Sequence, residues 1–309
     1  MNNGTVLIYS SHDRCRYLHE RFITGRALGG WGNKRVMFLP MSERGDLGSQ
    51  EFAWGNFRYF FDQYAHLGLE SFPFYWRPEL SHHDVQQLWH HLATAEVVIL
   101  GGGHSHTGLE RYKQLGARFD GEWGKFGRLL HERQARGLFT VGFSAGADQL
   151  GERIYRSVNS GGYNDGFGLA RNVMVRLHHD SGENGDLAWG AQRFPRERVF
   201  GLPNDSGLHV DQGVLPSGNL WQVTEFVIDN SWDEPSDGFH IKTRSGAKIE
   251  HFGPDGRHWS FGGGDHLVRI RSPDYGFDES WILTGGQVLH YGTLSRDGYQ
   301  GIEHLLAAH

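Results

Sequence analysis

Cysteine is all but absent: the 309-residue chain carries one, Cys15. A single thiol excludes an intrachain disulfide framework, suits a reducing compartment and leaves no cysteine pair for a zinc site. Long apolar runs are missing too. No stretch reaches the ~18–20 apolar residues needed to span a bilayer. Thr5–Tyr9 is too short for a signal-peptide core and no cleavage site follows it. A cytoplasmic protein without membrane association is the expectation. Basic clusters are also lacking: net charge is −6 and no segment concentrates lysine or arginine, so nucleic acid is not an expected partner.

What is present is an ordinary soluble composition, 38% hydrophobic against 21% charged, enough for a sizeable core in one large domain or two modest ones. Histidine is abundant, with 20 residues that include His82-His83, His90-His91, His178-His179 and His104-Ser-His106. None falls in an H-E-x-x-H arrangement, so solvated or hydrogen-bonding histidines are expected rather than a metal site, and no cofactor is called for. Cys15 lies between Arg14 and Arg16, neighbours that favour a thiolate, although an incidental thiol is the plainer reading.

The first two hundred residues alternate short β-like runs with helix-like stretches, the rhythm of an α/β fold with a parallel sheet covered on both faces. Val6–Tyr9, Arg35–Leu39 and Val97–Leu100 read as strands, the last running into Gly101-Gly-Gly103. Gly48–Leu67, rich in aromatics, reads as a buried helix. Ser81–Ala95 reads as a helix with a capping box from Ser81 and Asp84. Thr107–Leu115 and Gly124–Gly137 are again helix-like. From residue 223 the character changes to strand-like runs: Thr224–Ile228, Phe239–Thr243, Lys248–Phe252, His266–Ile270, Ser280–Leu283 and Gln287–Tyr291, with a final helix over Gly301–Ala308. Residues 1–222 are expected to form the main domain. Residues 223–309 are expected to be a β-rich extension packed on it, as edge strands of the same sheet or as a small separate sheet.

The most informative segment is Leu138-Phe-Thr-Val-Gly-Phe-Ser-Ala-Gly-Ala147. A strand, a G-x-S-x-G turn and a helix form a nucleophile elbow: the glycines remove Cβ atoms from a sharp bend, and the hydroxyl of Ser144 is left exposed at a helix N-terminus. Such a hydroxyl needs a base within reach and backbone donors for an oxyanion.

Four blocks in order, Val97–His104, Gly142–Ala147, Gly166–Leu169 with Val173–His178, and Phe200–Pro203, resemble the serine peptidase family of aspartyl dipeptidase (peptidase E) and cyanophycinase. The resemblance covers about residues 1–215 and leaves the C-terminal extension unexplained. It implies a three-layer αβα fold with a mostly parallel sheet, like class I glutamine amidotransferase and flavodoxin. It also implies a hydrolase that opens a peptide or isopeptide bond through an acyl-enzyme. Carried over, Ser144 is the nucleophile and His178 the base, with His179 as fallback. The oxyanion hole falls to the N–H of Ala145 and of Gly102 or Gly103.

Two departures matter. Where the family carries a glutamate this chain reads Gly201-Leu-Pro-Asn-Asp-Ser206, so either Asp205 orients the base or Asn204 does so without charge; Asp205 is preferred, with Glu152 and Asp180 as further candidates. The acidic stretch after His178 holds no arginine clamp for an aspartyl carboxylate, unless Arg153, Arg156 or Arg176 supplies one. Glu183 and Asp186 would favour a cationic substrate group if they line the site. His104, Asn204 and His179 are the expected substrate contacts, the substrate is a small peptide or isopeptide, and a homodimer is a fair expectation. Two other readings remain: a catalytically inactive relative acting as a binding protein, and an α/β-hydrolase esterase whose base would be a late histidine such as His290 or His304.

Overall fold

The computed structural model describes residues 4–11, 16–29, 33–154, 164–228 and 247–309; Arg14, Cys15, Arg156 and the strand expected over Phe239–Thr243 lie outside the described residues. The first half supplies β1 (Gly4–Tyr9), α1 (Arg16–Leu18), which continues through a π-helical stretch into α2 (Gly25–Leu28), β2 (Arg35–Leu39), α3 (Leu47–Asp62), β3 (Glu70–Pro73), α4 (His82–Thr94), β4 (Val97–Leu100), α5 (Ser105–Asp120), α6 (Lys125–Ala135), β5 (Phe139–Phe143) and α7 (Ala145–Leu150). The second half supplies β6 (Arg153–Ile154), β7 (Asn164–Asp165), β8 (Val173–Leu177), α8 (Asn184–Arg193), β9 (Arg198–Leu202), β10 (Ser206–Val214), β11 (Leu220–Ile228), β12 (Ile249–Phe252), β13 (His258–Phe261), β14 (His266–Arg271), β15 (Asp278–Thr284), β16 (Gln287–His290) and α9 (Ile302–Ala308).

Ten strands form one sheet in the order β16-β15-β14-β11-β10-β1-β5-β4-β2-β3. From β1 through β5, β4 and β2 to β3 every pairing is parallel; from β1 through β10 to β16 every pairing is antiparallel. The expected parallel character thus belongs to one half. The other half needs no crossover helices, because hairpins suffice: β15 and β16 meet across Gly285-Gly286, both at positive φ as a tight primed turn requires. A second sheet runs β13-β12-β9-β8, with only β8 and β9 parallel. The β-rich C-terminal segment therefore feeds both sheets.

Alternation along the central strands explains the layers. Val6 and Ile8 of β1 join one core cluster and Leu7 and Tyr9 the other, and the same split recurs at Val98/Leu100 and Val97/Ile99 of β4. One face is covered by α4 to α7 through residues such as Leu88, Tyr112, Leu130 and Leu150. The opposite face is covered by Phe22 and Ile23 of the π-helical stretch and by Trp54, Phe57 and Phe61 of α3. The expected burial of that aromatic helix holds for one stripe, whereas Phe52 and Tyr59 face solvent. The capping box of α4 forms as read: the Asp84 N–H donates to Ser81 Oγ at 3.2 Å and the Ser81 N–H to Asp84 Oδ2 at 2.9 Å. The second sheet packs over the antiparallel half through Phe200, Phe226 and Phe261, the last two stacked with centroids 4.0 Å apart. No helix among the described residues is long and apolar enough to cross a membrane.

Candidate active site

The parallel strands β1, β5 and β4 end side by side, and the loops beyond their carboxyl ends make the site, as is usual in α/β sheets. Ser144 follows β5 directly and sits at φ 48°, ψ −119°, a backbone conformation L-residues rarely adopt, as the N-cap of α7. The two glycines of the elbow are sterically required. A Cβ at Gly142 would lie 2.4 Å from the carbonyl oxygen of Gly146, and one at Gly146 would lie 2.1 Å from that of Leu100. The Ser144 N–H donates to Tyr9 O at 3.0 Å and the Gly146 N–H to Gly101 O at 3.1 Å, pinning the turn to the ends of β1 and β4.

His178 follows β8 and reaches the elbow from the second sheet. Its N–H donates to Ser10 Oγ at 2.8 Å, just beyond β1, and its φ of 53° turns the ring toward the elbow. Nε2 lies 3.4 Å from Ser144 Oγ, and Nδ1 lies 2.6 Å from Asn204 Oδ1. An amide oxygen only accepts, so Nδ1 carries the proton and Nε2 presents its lone pair to the serine. The Oγ–Nε2 distance is at the long end for a hydrogen bond, as is common before substrate is bound.

Asn204, not the preferred Asp205, is therefore the hydrogen-bond partner of His178. The two residues occupy the turn that carries the chain from β9 in the second sheet to β10 in the main one. Asn204 faces His178, whereas Asp205, at φ 57°, turns the opposite way, where its Oδ1 accepts from Ser11 Oγ at 2.7 Å and its carbonyl accepts from Tyr17 OH at 2.6 Å. Glu152 and Asp180 are engaged elsewhere, Glu152 accepting from the Asn172 N–H and Asp180 from the Gly182 N–H.

Gly103 and Ala145 border the cavity in front of Ser144, and Gly102 lies behind it, where an added Cβ would meet Ser144 Cβ at 3.4 Å. Gly103 has φ 120°, and a side chain there would collide with the Ser42 carbonyl at 2.3 Å. Among the described residues the N–H groups of Gly102, Gly103 and Ala145 have no acceptor. The cavity measures about 180 Å³ and is lined by Ser105, Asp148, Val175, Arg176 and Leu177 as well as Gly103, Ser144, Ala145 and His178.

The expected substrate contacts His104 and His179 are not part of that lining. His104 caps α5, its Nδ1 accepting from the Thr107 N–H at 3.3 Å. His179 is buried, 2.9 Å from Asn184 Oδ1. Of the three arginines considered, Arg176 reaches the cavity wall, held by Glu183 at 2.5 Å with Asp186 at 4.0 Å; Arg153 pairs with Asp165. Neither Glu183 nor Asp186 lines the cavity itself. The late histidines are remote: His290 closes the turn after β16 against Gly292 and Thr293, and His304 accepts from Gln300. No three His, Cys, Asp or Glu side chains gather as a metal-ligand set among the described residues.

Sequence reasoning passed over Ser10, Ser11, Ser105 and Asp148. Asp148 had a usable signal: it lies four residues after Ser144 on the helix leaving the elbow, and that spacing returns a side chain to the same face. Ser105 Oγ donates to Asp148 Oδ2 at 2.7 Å. Enclosure by protein pushes the Asp148 carboxyl up to about 7, against the opposing effects of the Ser105 hydroxyl and the Arg176 charge.

No protein-family model and no curated protein sequence matches the chain. Among solved structures, the crystal structure of a peptidase from an acI-B1 Actinobacterium is similar, with a TM-score of 0.55 and 16% identity, covering 84% of this chain and 95% of that one. The chain has the fold of a peptidase of known structure. At that identity the likeness concerns architecture, and the chemistry has to be argued from the site.

Proposed function

We propose that the protein is a serine hydrolase of peptide-type bonds, a peptidase, dipeptidase or isopeptidase of the aspartyl dipeptidase and cyanophycinase type on a class I glutamine amidotransferase-like fold. The observation that carries this reading is the continuous chain Ser144 Oγ, His178 Nε2, His178 Nδ1, Asn204 Oδ1 at a strained elbow. In the reaction, Ser144 Oγ attacks the substrate carbonyl carbon while His178 Nε2 takes its proton. The N–H groups of Ala145 and of Gly102 or Gly103 receive the oxyanion. Collapse of that intermediate expels the amine, which takes the proton back from His178, and leaves an acyl-Ser144 ester. Water then attacks the ester with His178 again as base. Asn204 holds the ring in the productive tautomer but lends no negative charge to the imidazolium, an arrangement like the Cys-His-Asn sites of papain-like peptidases.

Architectural likeness to a solved peptidase agrees with this reading. The inactive alternative would be favoured by a serine and histidine out of reach of each other and by a base without an orienting partner, and the contacts weigh against both. The test is labelling with a fluorophosphonate followed by peptide mapping. Covalent modification at Ser144 that is lost in Ser144→Ala is the expected outcome. Absence of labelling in the unaltered protein, together with no peptide cleavage across a broad dipeptide and isopeptide panel, would sink the proposal.

A further inference from the structure

The cavity in front of Ser144 carries a carboxylate for which the proposed chemistry has no use. Asp148 stands on its wall, held through one oxygen by Ser105, while Oδ1 has no hydrogen-bond partner among the described residues. No cation touches it. The guanidinium that shares the wall, Arg176, is paired through Nη2 with Glu183 at 2.5 Å, with Asp186 4.0 Å from its Nε. Asp148, Glu183 and Asp186 thus all act on this one guanidinium beside a cavity of about 180 Å³, and among these four groups carboxylates outnumber the cation.

Resting on the reading of Ser144 as nucleophile, we infer that Asp148, with Ser105 behind it, is a specificity residue that receives a positively charged group of the substrate, an ammonium, beside the scissile bond. The size of the cavity suits a compact point charge. An arginine-clamped substrate carboxylate would have to displace Glu183 from Arg176 and face Asp148 at once, so an acidic group is disfavoured. The groups facing Asp148 are Ser105 from α5 and Arg176 and His178 from the end of β8. An ammonium on Oδ1 favours the ionised carboxylate, which near pH 7 is only partly formed in the free protein. Cation binding should therefore strengthen as pH rises from 6 to 8. A charge-assisted contact of this kind corresponds to roughly ten- to hundredfold in affinity.

The experiment compares n-butylammonium, n-butanol and butyrate as probes on the full chain. Their binding is measured directly by calorimetry or ligand-observed NMR, and also as protection of Ser144 against a fluorophosphonate. Expected is butylammonium binding at least about tenfold tighter than butanol, with butyrate weakest, and an advantage that grows with pH. Asp148→Asn should abolish the difference between cation and alcohol, and Ser105→Ala should diminish it. Equal binding of the three probes, preference for butyrate, or an advantage that survives Asp148→Asn would overturn the inference. Direct binding is read without Ser144 chemistry, so a protein that binds butylammonium yet never labels contradicts the hydrolase reading alone. One that labels at Ser144 without discriminating the probes contradicts this inference alone.

Discussion

Replacing Asn204 by alanine tests the proposed third member of the site, whose Oδ1 accepts the Nδ1 proton of His178 at 2.6 Å. The bond is neutral on both sides and Asn204 is 6% exposed, so the loss felt at His178 is that of a buried neutral hydrogen bond, about 0.5–1.5 kcal/mol. At 1.36 kcal/mol per decade this is a fall of about 2- to 12-fold in the rate of acylation. His178 itself is exposed and water can serve its Nδ1, which keeps the loss within that range. The assay is the second-order rate constant for fluorophosphonate labelling of Ser144, with folding checked by urea titration. Asp205→Ala is the contrast. Its carboxylate meets Ser11 rather than the base, so it should cost ~1–3 kcal/mol of stability while slowing the labelling of folded protein less than Asn204→Ala. Asn204→Asp should retain or exceed the original rate, since a carboxylate makes the bond charge-assisted and stabilises the imidazolium. The reasoning is refuted if Asn204→Ala labels at the unaltered rate, or if Asp205→Ala slows labelling more than Asn204→Ala does.

Gly103→Val places a side chain against the Ser42 carbonyl in a left-handed backbone position; displacement of one oxyanion donor should lower the labelling rate by ~10²–10³, and a smaller fall than tenfold would remove Gly103 from the site. Arg133 is fully buried and donates to the carbonyls of Leu92, Ala95, Glu96 and Phe139 and to Thr140 Oγ1, so Arg133→Ala should cost ~3–5 kcal/mol by urea titration; a loss below 1 kcal/mol would contradict the role given to these bonds. His251, buried between the Val199 carbonyl and Tyr291 OH, has its basicity lowered by burial to about 3. The unfolded chain takes up that proton from about pH 6.5 downward and the folded one does not, so stability falls with acidification over that window by up to ~1.4 kcal/mol per pH unit. His251→Gln should flatten the slope between pH 6.5 and 5, and an unchanged slope would exclude this source.

The parallel half of the sheet was legible because each central strand is a short, wholly apolar run with an abrupt stop. The elbow was legible because its glycines are sterically obligatory. Less could be read where local pattern and position disagree. β3, Glu70-Ser-Phe-Pro73, ends in a residue unfit for an inner strand and survives at the sheet edge. β10 includes Gly207 and Gly213 among polar residues, and only its place between β1 and β11 makes it a strand. The preference for Asp205 over Asn204 ran against the hydrogen bonds because a turn between two sheets sends adjacent side chains to opposite sides. A one-residue offset there decides the site, and no periodicity records it. Asp148 was passed over although its place four residues after Ser144 was there to be read, because what sets it apart, a carboxylate on a cavity wall held through one oxygen by Ser105, belongs to its surroundings.

Ser144 and His178 stand on different sheets, so the gap between them gauges how one sheet is seated on the other. The seat is built partly by strands that come late in the chain: β12 covers the open edge of β9, and Ile249, Trp259 and Phe261 fill the space beneath. A chain cut after residue 222 would keep every group that touches the substrate in the proposed reaction and lose this buttress. Reactivity at the serine could then be tuned remotely, by repacking a handful of apolar side chains in strands that carry no reactive group. Drift in the C-terminal segment would be a route by which the proposed chemistry is silenced or retuned without a change at its centre.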